Sequence, residues 1–351
     1  MKNNRGIALF VTLAVITVLV AASIELHKRK RTAVLATAAS RDRVTLVQMA
    51  ASGIHVAMAM LLRDKMDSEI DSLQEDWANP QKRHELLADF PFDGGSIEFD
   101  ISDERSRIQL NALVALPGHE FNTAQFQLWE RLLGFLKRAD ESLEKLDHTA
   151  IINSLKDWID SGDDDAITGL TGAESSYYET LDPSYPARNA PFDHPGDLFR
   201  VKGLTRELLN GPHEAFQLFN YLSVYGATAA EGGKVTYDGK ININTALLPV
   251  LAAILPEDYD EFAPAILDYR VEKSDDQYIN ALSGLDWYKN VPGLEDLSLA
   301  PELITNASDL FRIVSTARLH GMTQTIEAVV QRETGKNSGK WRCRVLHWQT
   351  N

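Results

Sequence analysis

A single long helix is the first element that the hydrophobic pattern predicts. Residues 7–24 contain no charged side chain, and as a helix rising 1.5 Å per residue they would span about 27 Å, close to the thickness of a bilayer core. The pattern predicts one helix over residues 7–62, whose first half could cross a membrane and whose second half packs on the domain that follows. Apolar residues continue along one helical face of this second part at Leu35, Leu46, Ala50, Ile54, Ala57 and Leu61.

The N-terminal end of this helix leaves three interpretations open. One is a secretory signal cut after the small residues 21–23, although such signals have a shorter apolar region of roughly 7–15 residues. The second is a plain membrane anchor, and the third is a short basic leader, residues 1–6, removed ahead of the apolar helix. Basic residues 28–31 follow the apolar run. Because positive charge usually stays in the cytoplasm, charge counting alone would place the C-terminal part inside the cell.

Strand and helix patterns alternate in the middle of the chain. Residues 96–101 alternate between polar and apolar positions, which predicts a half-buried strand. Residues 107–113 and 240–246 repeat one theme, a short strand that ends with a polar residue suited to a helix N-cap. These segments therefore predict two weakly related helical modules joined to strands. The apolar faces that follow them contain Phe126, Trp129, Leu132, Leu133 and Leu136 in the first module, and Val250, Leu251, Ile254, Ala265, Ile266 and Tyr269 in the second.

Three strand-like runs close the sequence. They cover residues 309–317, 325–332 and 341–348, with turns expected at Gly321 and in the Gly-containing stretch 334–339. Short connections between successive strands favour an antiparallel meander. Cys343 falls in this alternation at a position where a small core residue fits.

Composition and charge narrow the possible functions. The 351 residues are 44% hydrophobic and 24% charged, as in ordinary globular proteins, and suffice for two or three domains. The net charge of −15 opposes binding to nucleic-acid phosphates and suits cations or basic partners. With one cysteine, the chain forms no internal disulfide.

An acidic segment in the middle of the chain is a candidate cation site. Asp157, Asp160 and the run at 163–165 lie close together, and Glu174 follows downstream. Calcium takes six to eight oxygen ligands, mostly carboxylates and carbonyls, and Gly162 would help the loop to bend around an ion. The spacing does not match the EF-hand loop, so a solvated acidic loop without an ion remains the alternative.

The sequence contains no recognisable catalytic or nucleic-acid-binding pattern. Its nine histidines are scattered, and the metalloprotease H-E-x-x-H, the hydrolase G-x-S-x-G and the phosphate-binding P-loop patterns do not occur. Residues 201–204 are similar to a helix-hairpin-helix turn, but the strongly acidic charge makes DNA binding an unfavourable interpretation. An enzyme is therefore not expected.

Several of these segments, taken in order, resemble the K-type minor pseudopilins of type II secretion systems, the general secretion pathway protein K family. The leader Arg5-Gly6 before an apolar helix resembles that of type IV prepilins and pseudopilins. The further matching segments lie at residues 157–160, 172–174, 188–192, 197–204 and 241–246, so the resemblance extends along essentially the whole chain. Val11 occupies the fifth mature position, where most pilins have Glu and where K-type subunits characteristically lack it.

The resemblance implies a fold, a processing step and a set of partners. The expected fold is α+β, with a pilin-like long N-terminal helix, a small antiparallel sheet and a large helical domain inserted between the strands. Prepilin peptidase would cut between Gly6 and Ile7. The mature protein would be a single-pass inner-membrane protein with its C-terminal head in the periplasm, and no nucleic acid would bind. Its partners would be the I-type and J-type minor pseudopilins and other pseudopilus subunits, joined through the N-terminal helix, with possible contact to secreted substrates.

The resemblance also implies structural calcium in the acidic segment. The expected ligands are Asp160, Asp163, Asp165 and Glu174, while Asp157 on the preceding helix would cap or orient the loop. The calcium would hold a long polar loop in place and add its binding free energy to folding.

This organisation gives a specific domain division and a specific function. The predicted segments are a leader at 1–6, the transmembrane and amphipathic helix at 7–62, the first part of the head at 63–111, the inserted helical domain at 112–240, a second helical module at 241–308 and the C-terminal strands at 309–351. The expected function is a minor pseudopilin that caps the tip of the pseudopilus, nucleates its assembly and supports export across the outer membrane. The alternatives are a membrane-anchored periplasmic domain that binds a cation or other ligand without filament assembly, and an anchored hydrolase of unrecognised type.

Overall fold

Helix α1 is the longest element of the chain and sets its architecture. The computed structural model describes residues 5–88, 92, 94–139, 143–161, 167–210, 217–335 and 339–351, without the side chains of Arg5 and Glu231. α1 runs without a break through 63 residues. The described α-helices are α1 (Arg5–Asp67), α2 (Pro80–Ala88), α3 (Thr123–Ala139), α4 (His148–Ile159), α5 (Ser175–Tyr178), α6 (Arg206–Leu209), α7 (Leu248–Ile254) and α8 (Ala263–Val271).

Four strands form the main antiparallel sheet, in the order β1-β10-β11-β12. The other strands form two-stranded pairs, of which β2-β3 and β6-β9 are parallel. The described strands are β1 (Gly95–Asp103), β2 (Ile108–Gln109), β3 (Leu222–Ser223), β4 (Thr228–Ala229), β5 (Val235–Thr236), β6 (Ile241–Asn242), β7 (Lys273–Ser274), β8 (Gln277–Tyr278), β9 (Ile304–Thr305), β10 (Leu310–Leu319), β11 (Met322–Thr334) and β12 (Trp341–Thr350).

The second half of α1 packs across the main sheet and makes the first hydrophobic core. Ile54, Ala57 and Leu61 are wholly buried, and they follow the helical spacing that the sequence shows. The sheet supplies alternating residues of its strands, such as Ile313 of β10. Trp77 fills the end of this core, with its ring edge-on to that of Phe311 at 5.4 Å between centroids. Helix and sheet thus form the pilin-like head.

A helical domain separates β1 from its partner strand β10. β1 ends at Asp103 and β10 begins at Leu310, yet the two strands pair over their full length, from Gly95 opposite Leu319 to Asp103 opposite Phe311. The chain between them has its own core, in which α3 packs on α7 and α4. The predicted fold class, a long N-terminal helix with a small antiparallel sheet and a helical domain inserted between the strands, is confirmed.

Two features of the fold differ from the sequence prediction. Helix α2 lies in the polar segment 64–95, for which the sequence pattern predicts no helix, and its buried Arg83 donates to the carbonyls of Phe99 and Trp77. Helix α3 begins only at Thr123 and α7 begins at Leu248, after an N-cap residue without a capping side chain. The predicted N-cap is therefore present only after the first short strand, where the Gln109 side chain accepts from the Asn111 N–H and caps the 3₁₀ helix Leu110–Leu113. A loop separates the second short strand from α7.

Candidate functional site

The first half of α1 is a long apolar surface that the rest of the chain does not cover. Its most apolar 18-residue window has a mean hydropathy of 2.8, and no part of that window is buried. Ile7 is 65% exposed and Leu19 is 63% exposed, while the first buried residue of α1 is Asp42. The helix is long and apolar enough to cross a membrane.

No packing contact requires glycine at position 6, the predicted end of the leader. A Cβ atom built at Gly6 would meet no other atom within 4 Å, and the backbone there is helical. Nothing in this part of α1 therefore explains why glycine stands between Arg5 and Ile7, whereas cleavage of the Gly6–Ile7 bond would.

The base of the acidic loop is closed by two side chains from the end of α4. The Asp157 carboxylate accepts a hydrogen bond from the Thr168 backbone N–H, at 3.1 Å to each oxygen. The Lys156 ammonium donates to Asp160 Oδ2 at 2.7 Å and to Thr168 Oγ1 at 3.0 Å. Burial raises the pKa of Asp157 above its usual range, against the lowering effect of the hydrogen bonds from Thr168. Asp157 thus orients the loop, as the sequence predicts.

The structure describes two of the four predicted calcium ligands. Asp160 directly follows α4 and is engaged by Lys156, and Glu174 is buried immediately before α5. Asp163 and Asp165 lie outside the described residues. A cluster of carboxylates on a loop closed at its base suits a hard cation such as calcium, and in that case Asp160 would exchange its ammonium partner for the ion. The structure describes no arrangement of all four residues.

Aromatic residues pack behind the loop and join its two sides. The Trp158 ring lies edge-on to Tyr178 at 5.0 Å between centroids and stacks on Phe192 at 6.3 Å. Lys202 donates through its ammonium to the Thr171 carbonyl at 3.0 Å and through its backbone N–H to the Tyr178 hydroxyl at 3.3 Å. Segments that are far apart in the sequence but share the family resemblance therefore meet around the base of this loop.

A second group of carboxylates lies at the junction of α1, β11 and the inserted domain. Asp64, Asp71 and Glu75 place one oxygen each within 4.8 Å of one another. The guanidinium of Arg332, only 1% exposed, donates to Asp64 Oδ2 at 3.1 Å and also to Asp71 Oδ1. This cation already neutralises part of the cluster, so the site is an internal ion-pair network and has no need of a metal.

Burial dominates the protonation behaviour of this junction. Desolvation raises the pKa of Asp71 to about 7 and that of Asp64 to about 6, and the nearby carboxylate of Glu75 adds to both shifts, whereas Arg332 opposes them. Burial also raises the pKa of Asp103, which accepts from Asn242 Nδ2 at 2.7 Å. Two or more carboxylates share one guanidinium here, so a proton on one of them relieves their repulsion.

Buried asparagines join distant loops, which the sequence pattern did not reveal. Asn111 accepts from the Phe192 N–H at 2.7 Å and donates to the Phe192 carbonyl at 3.1 Å. Asn242 donates to the Asp71 carbonyl at 2.9 Å, and Asn244 accepts from the indole N–H of Trp287 at 2.7 Å. In the sequence, these asparagines appear only as a polar position shared by two otherwise apolar segments. Helix capping explains such a position equally well.

Comparisons with known proteins point to one family. The family model described as type II secretion system (T2SS), protein K, matches residues 106–211, which include α3, α4 and the acidic loop. A type II secretion system protein K of Pseudomonas aeruginosa is 27% identical over 275 residues, 77% of this chain and 73% of the relative. Another, of Klebsiella pneumoniae, is 28% identical over 209 residues, 59% of this chain and 60% of the relative.

A solved structure shares the whole fold. The crystal structure of the GspK-GspI-GspJ complex from the enterotoxigenic Escherichia coli type 2 secretion system contains a chain that this one matches with a TM-score of 0.63 and 19% identity. The match covers 90% of this chain and 99% of that one. The sequence relatives, the family model and the shared fold agree with the resemblance that the leader and the ordered segments show. The chain is therefore similar, in sequence and in fold, to the type II secretion system protein K family.

Proposed function

We propose that this chain is a minor pseudopilin that caps the tip of the type II secretion pseudopilus, nucleates its assembly and supports protein export across the outer membrane. The observation that carries this proposal is the form of α1. One unbroken helix has an uncovered apolar first half and a second half packed on a four-stranded sheet. Such a helix can leave a membrane and pack beside other helices of the same kind.

Position at the tip follows from the inserted domain and from Val11. The insertion between β1 and β10 gives the head a second, large hydrophobic core, which would clash with neighbouring subunits within a filament. Val11 carries no carboxylate, so it cannot neutralise the terminal amine of a subunit placed above it. A subunit at the tip has no such neighbour. The role is structural, and catalysis is not part of the proposal.

The I-type and J-type pseudopilins are the proposed partners. The related crystal structure is a complex of GspK with GspI and GspJ. In this chain, the part of α1 between the apolar run and the head exposes apolar residues to solvent, including Val34 at 67% and Leu35 at 60%. Apolar side chains outside a membrane and outside the core provide a surface on which partner helices can pack.

The proposed location follows from the same helix. Prepilin peptidase would remove residues 1–6 at the cytoplasmic face and leave Ile7 as the first residue. The mature chain would cross the inner membrane once and hold its head in the periplasm. We also propose that the acidic loop holds structural calcium, with Asp160, Asp163, Asp165 and Glu174 as ligands, supported by the closed loop base and by the ligand chemistry.

Co-purification with the partner subunits tests the proposal. The full chain, tagged at its C-terminus, is produced with the I-type and J-type pseudopilins of the same secretion system and extracted in mild detergent. Both partners are expected to be retained, and a Val34→Asp, Leu35→Asp double variant should lose them. Met66→Asp is the matched control, because Met66 is 71% exposed on the far end of the same helix.

Two outcomes contradict the proposal. If the folded chain retains neither partner, it does not form the proposed assembly and an anchored binding domain explains α1 equally well. If both variants retain the partners equally, the uncovered part of α1 is not the contact surface.

A further inference from the structure

Four consecutive cations form a ring around α1 just beyond its apolar run. We call Lys28, Arg29, Lys30 and Arg31 the basic collar. At 3.6 residues per turn, successive side chains are about 100° apart, so four of them cover the whole circumference of the helix. All four are exposed, and the helix continues unbroken on both sides of them. The collar therefore presents positive charge in every direction around α1.

The collar lies at the level of lipid headgroups when α1 spans a membrane. Ile24 is the last residue of the uncharged run. At a rise of 1.5 Å per residue, Lys28 to Arg31 lie about 6–10 Å beyond it. The headgroup region is about 5–8 Å thick on each side of a typical bilayer core. Lysine and arginine side chains are long enough to extend to the phosphate level from either edge of this layer.

The described part of the chain does little to neutralise the collar. Glu25 pairs with Arg29 at 2.8 Å, but between Glu25 and Asp42 the sequence contains no acidic residue. Asp42 itself is engaged by Arg41 and by His320. The head begins to cover α1 only near Asp42, about 17 Å along the helix from Arg31. Most of the collar's charge must therefore be balanced by groups outside the chain.

The basic collar stands out because the rest of the chain is strongly acidic. Of the 50 acidic residues, all except Glu25 lie beyond the collar, and the net charge is −15. An acidic head is repelled by an anionic membrane surface, whereas the collar is attracted to it. Cations on the same side of a membrane as the exported part of a protein are also unfavourable for topology, so they need a compensating interaction.

We propose that the basic collar binds the phosphate groups of anionic phospholipids in the leaflet on the head side of the membrane. This interaction fixes the depth of α1 and holds the acidic head at a set height above the bilayer. Basic residues near an anionic surface each strengthen binding by about fivefold. The contact is electrostatic and lies at the surface of the bilayer, so salt weakens it. The inference depends only on α1 spanning the membrane and is independent of the position at the tip.

Lipid binding by the full chain tests the proposal. The detergent-solubilised protein is titrated with mixed micelles that carry fluorescent phosphatidylglycerol or phosphatidylcholine with the same label. The native chain should bind phosphatidylglycerol at least tenfold more tightly than phosphatidylcholine, and this preference should fall at 0.5 M salt, a concentration about three times physiological. A variant with all four collar residues changed to Gln should lose the preference. Because the collar packs on nothing in the described chain, the thermal midpoint of the head should stay unchanged.

A matched control and a competing outcome make the test decisive. Changing Arg41, Arg43, Arg63 and Lys82 to Gln removes four exposed or surface-paired cations from the rest of the chain and should keep the lipid preference. Equal binding of both lipids by the native chain would overturn the proposal. Loss of I-type or J-type partners by the collar variant, with its lipid preference intact, would overturn it too, because the collar would then face carboxylates of a neighbouring protein.

Discussion

Gly53 lies where α1 packs tightly against β1 and β10 of the sheet. A Cβ atom at this position would be 2.2 Å from Ser315 Oγ on β10 and 2.9 Å from Ile97 Cγ2 on β1. Atoms do not approach this closely without movement, so the missing side chain lets the helix lie against the strands. The close packing of the whole α1–sheet core depends on this one position.

Replacing Gly53 with alanine should destabilise the head although alanine favours helices. Overpacking should cost about 1–3 kcal/mol of unfolding free energy, more than the roughly 1 kcal/mol gained in helix propensity. Thermal unfolding of the detergent-solubilised chain measures the effect. Adding Ser315→Ala should restore part of the loss by removing the nearest atom. Gly134→Ala in α3 is the control and should not lower the midpoint, because a Cβ atom there would meet only the Arg138 guanidinium, at 3.7 Å. An unchanged Gly53→Ala midpoint would contradict this account.

The charged residues at the junction beneath α1 predict how stability depends on pH. Asp71 and Asp64 have pKa values raised to about 7 and about 6 in the folded protein, above the ordinary value of 3.8. Between about pH 4 and pH 7 the folded state therefore holds protons that the unfolded state has released. The contribution of these bound protons to the unfolding free energy is fully present below pH 4, and it is lost as the pH rises through the two folded-state pKa values.

With both carboxylates titrating at these pKa values, the unfolding free energy should fall by about 4 kcal/mol between pH 5 and pH 8. Denaturant titrations at several pH values measure this change. In the Asp64→Asn variant, the slope of the unfolding free energy against pH should be smaller, because Asp71 then shares Arg332 with one fewer carboxylate. Asp67→Asn, on a side chain 74% exposed, should leave the slope unchanged. Equal slopes in all three proteins would exclude the junction as the source.

At the scale of the elements, the periodicity of apolar residues predicted the features that depend only on residues close together in the sequence. The spacing of Ile54, Ala57 and Leu61 was enough to place the buried face of α1, and strict alternation was enough to locate β10 and β11. The pairing of β1 with β10 across the insertion could not be read from periodicity, because it joins residues more than 200 positions apart. The family resemblance implied only that a helical domain is inserted between the strands, and the structure supplies the pairing itself.

The sites depended on contacts that no spacing encodes. Asn111 was read as a candidate cap because capping and bridging require the same short amide side chain, and only the fold brings Phe192 beside it. Arg332 sits in a strand pattern, so its burial among Asp64 and Asp71 was not foreseen. Asp157 at the end of α4 accepts from the Thr168 N–H, whereas the acidic loop as a calcium site and its ligands remain a prediction.

Calcium that binds the acidic loop should stabilise the folded protein. Calcium that binds only the folded protein should raise the thermal midpoint, with a gain of about 2.7 kcal/mol at a free concentration one hundred times the dissociation constant. Chelation with EDTA should reverse it. Asp163→Asn with Asp165→Asn should abolish the response, while the exposed turn pair Asp275→Asn with Asp276→Asn should keep it. A calcium response that survives the loop substitutions would place the ion elsewhere.

At the scale of the whole molecule, α1 connects three environments. Its first half is apolar and uncovered, and its middle exposes apolar residues such as Leu35 between the apolar run and the head. Its last turns are fixed by the Arg332 network to the sheet and to the inserted domain. Because the helix is continuous, a force or displacement applied at the membrane would reach the head. This arrangement is what a subunit assembled from the membrane outward requires.

The identity of the mature N-terminus tests the central claim most directly. Intact mass and N-terminal sequencing of the native protein, purified from a cell that contains prepilin peptidase, should show a chain that begins at Ile7. Gly6→Val should block this processing without disturbing the fold, since a side chain at Gly6 meets no neighbouring atom. A chain that retains Met1, or one that begins after Ser23, would contradict the pseudopilin account.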